Sequence, residues 1–471
     1  MTVAIAIDRP EARERTRWRT PKPASGALRH PSLADIAHIP GKRGLPFLGV
    51  MPEVVLDPLG FSQRMVARHG PVYRFHALGK WHLHFVGAEA NELILFDEQG
   101  IFSAEAGWGP LIAPLFPGAL LVKDGAEHRS GRRLLGEAFK QAELSGYQRI
   151  FKHDIERRID SWIRRPAIDP YLESRELTFH IAASTFLGVP LEEEAHVAIR
   201  SFAAMMGGLL TLVSNPKLSP VRQRGFVGKA RLEKILTRLV AEKRAAPGSD
   251  FLSRIALLED ERGRLPVQEI CDTFLFLMSA AHDTMASAIT SLTYYLARYP
   301  EWRAELRREI EEAGIEDSLE AATAKLPVQD MFYKETLRLN NPAPVIWRRA
   351  VKPFSIHGID VPAGTMAGAN LMMTHRLPDL WPDPLRFDPL RFTPEAEKAR
   401  SRFAHVPFGA GVHKCLGMHF SQQQAKIYMT HLLLHAELEL RDDRPPVWYH
   451  WPNCRPRKPL SVAVRPRCRG R

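Results

Sequence analysis

Cysteine is scarce in this chain. Cys271, Cys415, Cys454 and Cys468 are the four among 471 residues, and no two form a CxxC pair. That excludes a disulfide framework and the common cysteine-rich zinc sites, and it suits a reducing compartment. Nucleic-acid signatures are missing too. No zinc-finger spacing, basic zipper or RNA-binding motif accompanies the formal charge of +12, so nucleic acid is not an expected partner. The charge speaks of association with acidic partners or surfaces, not of chemistry. There is no internal repeat and no low-complexity linker. The start, "MTVAIAIDRPEARERTRWRTPKP", lacks an apolar run long enough for a signal peptide or membrane anchor. These absences predict a cytoplasmic protein with no membrane anchor. Residues 1–40 are expected to be a poorly ordered, basic, proline-rich segment, and residues 41–471 a single catalytic domain.

What is present is mostly helical. From Asp124 to Leu339, segments such as "VGKARLEKILTRLVAEKR" carry helix formers with apolar residues at steps of three and four. Two β-rich patches frame them. "GPVYRFHALGKWHLHFVG" alternates around Gly79 and predicts a hairpin, and "RRAVKPFSIHGIDVPAGTMAGAN" predicts further strands with a turn at "PAG". His76, His82 and His84 alternate along the first patch and read as one exposed strand face, not a metal site. The tail after Glu437 reads as short strands. One long apolar stretch, "TFLFLMSAAHDTMASAITSLTYYLA" (273–297), could span a bilayer by length, but Asp283 sits near its middle. It reads as the buried central helix of a large protein.

The chemistry concentrates in "FGAGVHKCLG", residues 408–417. Its glycines fit neither the phosphate-loop spacing G-x-x-x-x-G-K-[ST] nor the dinucleotide spacing G-x-G-x-x-G. What remains is a cysteine in a loop free of side-chain bulk, followed by a predicted helix. Backbone amides, His413, Lys414 and a helix N-terminus all favour thiolate over thiol at Cys415. A thiolate is a nucleophile or a metal ligand. His413 is too close in sequence to serve easily as a nucleophile's base, and haem is the cofactor that needs one such ligand.

This loop resembles the cysteine signature of the cytochrome P-450 superfamily, F-x-x-G-x-[HR]-x-C-x-G, with Phe408, Gly411, His413, Cys415 and Gly417 in its fixed positions. Three further stretches resemble family motifs in the expected order. "ETLR" and "PLRF" imply a structural triad of Glu335, Arg338 and Arg391, with Leu390 where the family carries an acid. "AAHDTM" implies that Asp283 and Thr284 supply protons during oxygen activation. There Ala281 and Met285 replace a common glycine and a common hydroxyl residue. "EHRSGRRLL" and "PVIWRRA" imply that His128, Arg132 and Arg348 join His413 around the haem carboxylates. Phe408, Gly409 and Gly417 would complete the cofactor-binding loop.

The resemblance implies a mainly α fold with a small β subdomain, holding haem b between the long central helix and the cysteine-loop helix. It also implies a haem-thiolate monooxygenase that inserts one atom of dioxygen into a hydrophobic organic substrate. With no redox segment fused to the chain, electrons from NAD(P)H would arrive through a ferredoxin and its reductase, docking near Lys414. Trp108, Phe116, Phe274, Leu277, Met278, Ala280, Val345 and Ile346 are the apolar residues at positions expected to line the substrate pocket. A peroxide-driven peroxygenase of the same fold, or a non-catalytic haem sensor or carrier, are the alternative functions.

Overall fold

A computed structural model describes residues 28–467 except 137–138, 189–194, 210–218, 249 and 261–262. The expected disorder of residues 1–27, and Cys468, lie outside the described residues. The expected boundary at residue 40 is too late. Ile36 and Ile39 are fully buried against the sheet, and Arg74 Nε donates to Ile36 O at 3.1 Å.

The β subdomain is built on a six-stranded sheet. From edge to edge its strands are Gly41–Lys42, Val72–Ala77, Lys80–Phe85, Met366–Asn370, Val345–Ala350 and Phe102–Ser103. Val72–Ala77 and Lys80–Phe85 form the predicted hairpin. Leu78 (φ 49°) and Gly79 (φ 78°) both take positive φ at its turn, which matches the right-handed twist of the paired strands. The histidine face on this hairpin is not exposed. His84 is 5% exposed, its Nδ1 lies 2.9 Å from Tyr73 Oη, and its ring packs on Trp347 across Gly368, where no side chain intervenes.

Apart from small two-stranded sheets, among them Ala436–Leu440 with Val462–Pro466 in the tail, the rest is mainly helical, and Val267–Arg298 runs through its centre. At 32 residues and 1.5 Å rise it spans about 48 Å. Its neighbours supply apolar surface all round, so the stretch that could have crossed a bilayer is instead the axis of the core. Among the described residues no helix is long and apolar enough to cross a membrane. Pro170–Leu187 packs along it on one side. On the other, Met418–His435, the helix after the cysteine loop, is braced to it by polar contacts. Thr293 Oγ1 lies 2.6 Å from Tyr428 Oη, and Ser421 Oγ reaches Met285 Sδ at 3.0 Å and Tyr333 Oη at 2.6 Å. Met285, one of the departures from the family motif, thus ties the central helix to the cysteine helix. Asp57, Asp169, Ser219 and Asp250 cap helix N-termini by accepting backbone amides, as their short polar side chains dictate.

Candidate active site

The cysteine loop is shaped by two glycines with positive φ. Gly409 has φ 69° and Gly411 φ 64°. A Cβ at Gly411 would lie 2.6 Å from Leu95 O and 2.8 Å from Phe96 O, so a side chain there is excluded by neighbouring backbone. Gly417 differs: its φ is −85°, and a Cβ would meet nothing closer than Phe139 at 3.8 Å. The loop closes through Cys415 N donating to Phe408 O at 2.8 Å and Gly409 N to Val406 O at 2.9 Å. Cys415 is reachable by solvent yet ringed by protein, as at the floor of a recess. That enclosure pushes its thiol up, while the Gly417 amide and the charges of Arg132 and Lys414 pull it down.

On the central helix, Thr273, Phe276, Ala280 and Thr284 recur at steps of three and four and share one face. All four are incompletely buried, and Ala280 is exposed although the helix around it is not. Thr284 Oγ1 donates to Ala280 O at 2.7 Å. Leu277 adjoins this face. Phe274 and Met278 do not: Phe274 is 0% exposed and packs on Phe251 at 5.3 Å, and Met278 lies among Phe179, Leu232 and Leu275. These two expected pocket residues are core, because the helix rotates them to its far side. Phe276, on the cleft face and edge-on to buried Phe116 at 5.9 Å, was missed; counting back from Thr284 in helical steps would have found it. On the strand Val345–Ala350 alternation decides in the same way. Ile346 Cδ1 would lie 3.7 Å from a Cβ at Gly409, on the loop side, whereas Val345 flanks Gly368 with Trp347 on the other face.

Asp283 lies one position before Thr284, its carboxyl largely buried and raised from the ordinary range by that burial. Arg175 and Arg455 act against the rise. His282 Nε2 is 3.5 Å from Asp283 Oδ1, but burial pushes His282 down to about 3, so the imidazole is neutral. Thr178 on the neighbouring helix fixes that ring at Nδ1, 2.9 Å away.

The expected cation edge assembles, with a correction. His128 and His413 stack at 3.9 Å, and His413 Nε2 lies 3.5 Å from the carboxylate of Asp124, which also accepts from Ser103 Oγ and from Ala104 N at 3.0 Å. Burial holds His128 down to about 4 and also lowers His413, against the pull of Asp124. The standing positive charge here is that of Arg132 and Arg348. Arg348 is 5% exposed, faces Asp124 and Asp97, and is pushed down by burial only to about 10. Arg349 turns the other way and donates to Gly364 O at 3.0 Å and to Leu28 O.

Glu335, Arg338 and Arg391 come together in one cluster. Arg338 meets Glu335 with two bonds, Nε to Oε2 at 2.6 Å and Nη2 to Oε1 at 2.8 Å, both side chains fully buried. Asp388 N donates to Glu335 Oε1 at 2.9 Å, and Arg391 Nε approaches to 3.6 Å. Leu390 is 56% exposed, so the missing acid costs the cluster nothing.

The model of the family described as cytochrome P450 matches residues 39–464. The chain belongs to the cytochrome P450 family. It is 32% identical over 447 residues to the putative cytochrome P450 136 of Mycobacterium tuberculosis, covering 93% of this chain and 90% of that one. It is 29% identical over 434 residues to the putative cytochrome P450 120 of Synechocystis, covering 90% and 96%. The solved structure of cyanobacterial CYP120A1 with retinoic acid bound superposes with a TM-score of 0.83 at 28% identity, covering 91% of this chain and 99% of that one. As a P450 the protein is a haem monooxygenase, and its residues fit that cofactor. One thiol stands accessible on the glycine loop, and two arginines stand ready for two carboxylates. Trp108 Nε1 is a buried donor with no acceptor among the described residues, beside Gly107, which packs on Arg348. When bound, the haem would supply redox activation of dioxygen, with Cys415 the residue that would hold its iron and Arg132 and Arg348 those that would hold its carboxylates.

Proposed function

We propose that this P450 hydroxylates a long, apolar organic acid, with electrons delivered by a ferredoxin and its reductase on the cytoplasmic side. The observation that carries the substrate reading is the apolar face of Phe276, Leu277 and Ala280 on the central helix. Apolar walls suit a substrate with an apolar body. Retinoic acid in the similar CYP120A1 structure supports an acid of that length as the first compound to try. In this reading Cys415 is the axial ligand, Arg132 and Arg348 hold the haem carboxylates, and Asp283 and Thr284 pass protons toward the oxygen-binding face. For the electron donor, support comes from a cleft of about 370 Å³ against the cysteine loop. Phe96, Lys334, Arg402, Phe408, Gly409 and Lys414 are among its lining residues, and neither Cys415 nor Thr284 is. Lys334 is paired with Glu397 of the same cleft at 2.8 Å, but Arg402 and Lys414 are exposed and suit an acidic protein.

The test is a spectral titration. Retinoic acid should shift the haem spin state at micromolar concentration, whereas a compact terpene should not. A reverse order would overturn the substrate class. The reduced, carbon-monoxide-bound spectrum should lose its thiolate-type band in Cys415→Ala; a retained band would remove Cys415 as ligand. Lys414→Glu should slow ferredoxin-driven turnover most at low salt, and an unchanged rate would refute the docking site.

A further inference from the structure

We propose that the loop Gly44–Gly49 is a docking tip that seats the protein on an anionic lipid surface. Residues Lys42–Leu48, "KRGLPFL", form an unbroken exposed run, with Leu45 54%, Phe47 69% and Leu48 44% exposed. Such apolar exposure on an unstructured loop would mean little. This loop is closed by Leu45 N to Gly49 O at 3.0 Å and Gly49 N to Leu45 O at 2.9 Å, and docked by Gly79 N to Phe47 O at 2.9 Å. Gly44 and Gly49 both take positive φ, and a Cβ at Gly49 would lie 1.8 Å from His76 O. The backbone is therefore held in place, and the apolar side chains are held outward by it.

Phe47 itself sits at φ 55°, a region that bulky residues rarely adopt. Its ring reaches the hairpin turn, where a Cβ at Gly79 would lie 3.4 Å away, but Phe47 stays 69% exposed, so neither local preference nor core packing accounts for a phenylalanine there. A binding role does, since strained backbone persists where the surrounding structure enforces it and function uses it. The surrounding charge selects the partner. Lys42 pairs with Glu53 at 2.6 Å, but Arg43 and Lys80, both exposed, make no ion pair among the described residues. At the far end of the helix Met51–Leu56 the same combination recurs. Leu56 (60% exposed) and Val447 (65%) lie beside Arg457, whose amide donates to Val447 O at 2.8 Å, and Lys458 is exposed next to it. A narrow apolar tip rimmed by cations fits insertion among anionic headgroups, where apolar burial and electrostatic attraction add.

The experiment is co-sedimentation of the full holoenzyme with phosphatidylcholine–phosphatidylglycerol vesicles and with pure phosphatidylcholine vesicles. Binding is expected to the anionic vesicles only and to weaken with salt. Phe47→Asn should reduce it about tenfold without lowering the melting temperature, because asparagine tolerates the left-handed region. Arg43→Glu with Lys80→Glu should also reduce it about tenfold or more. Wild-type protein that ignores anionic vesicles at low salt would overturn the proposal. So would a Phe47→Asn protein that binds like wild type, since the net charge alone would then explain the binding. Self-association abolished by Phe47→Asn, with no vesicle binding, would assign the loop to a second copy and equally overturn it.

Discussion

Glu335 and Asp283 are both carboxylates withdrawn from water, and the fold treats them oppositely. Glu335 receives two bonds from Arg338, one from the amide of Asp388, and the charge of Arg391; Arg338 in turn donates to the carbonyls of His375, Pro384 and Arg386. Its hydrogen-bonding capacity is consumed by the scaffold behind the cysteine loop. Among the described residues Asp283 has a neutral imidazole at 3.5 Å and two arginines acting at longer range. Burial raises both groups, yet only Asp283 keeps lone pairs with which to take and give a proton. A saturated cluster holds a fold together; an undersaturated one can work.

The comparison breaks most visibly at Glu335. Arg338→Met strands a buried charge and should cost about 3–5 kcal/mol, read by denaturant unfolding and by the yield of haem-loaded protein. A small loss would mean that the triad is not the scaffold described. Asp283→Asn should do the reverse, leaving unfolding free energy within about 1 kcal/mol of wild type while product formation falls on the order of 10²-fold. Measuring product against reductant consumed checks this, and a parallel loss of stability would erase the distinction.

The pH dependence sharpens it further. Asp283 is raised above its ordinary 3.8 in the native state, so the fold holds its proton more tightly than the unfolded chain does. The resulting stabilisation is complete below that ordinary value and is lost as pH rises through the raised native one. The stability of wild type relative to Asp283→Asn should therefore fall with rising pH across that window, as urea titrations at successive pH values would show. A difference independent of pH would mean that Asp283 is not the buried acid. The smallest effect belongs to Thr178→Val, which removes the hydroxyl fixing His282. A loss of about 1 kcal/mol in thermal unfolding is expected, with the carbon monoxide spectrum unchanged.

Much of the site was legible because its residues come as linear motifs. Cys415 stands out in its glycine loop, the Glu335–Arg338 and Asp283–Thr284 pairs are recognisable by their resemblance to family motifs, and the hairpin at Gly79 and the helical body follow from periodicity. What escaped depends on rotation and on distant partners. Phe274 and Met278 are as apolar as Phe276, and only the phase of the helix tells core from cleft. His413 looked like a free cation because the residues packed around it, His128 and Asp124 among them, lie far away in sequence. His84 alternates with the apolar Leu83 and Phe85, as an exposed face would, but Tyr73 and Trp347 cover it beside a side-chain-free Gly368. Burial by a remote element leaves no local trace.

The brace between Thr293 and Tyr428 has a consequence for how the protein is made. The two residues are separated by 135 positions, and Tyr333 and Ser421 by 88. Closing loops of that length costs entropy before any contact rewards it. On the ribosome the central helix emerges long before the helix that follows the cysteine, so the two sides of the recess meet only after the intervening chain has been synthesised and arranged. The recess is a late product of assembly, and loading with cofactor belongs to the end of biogenesis, not to its start.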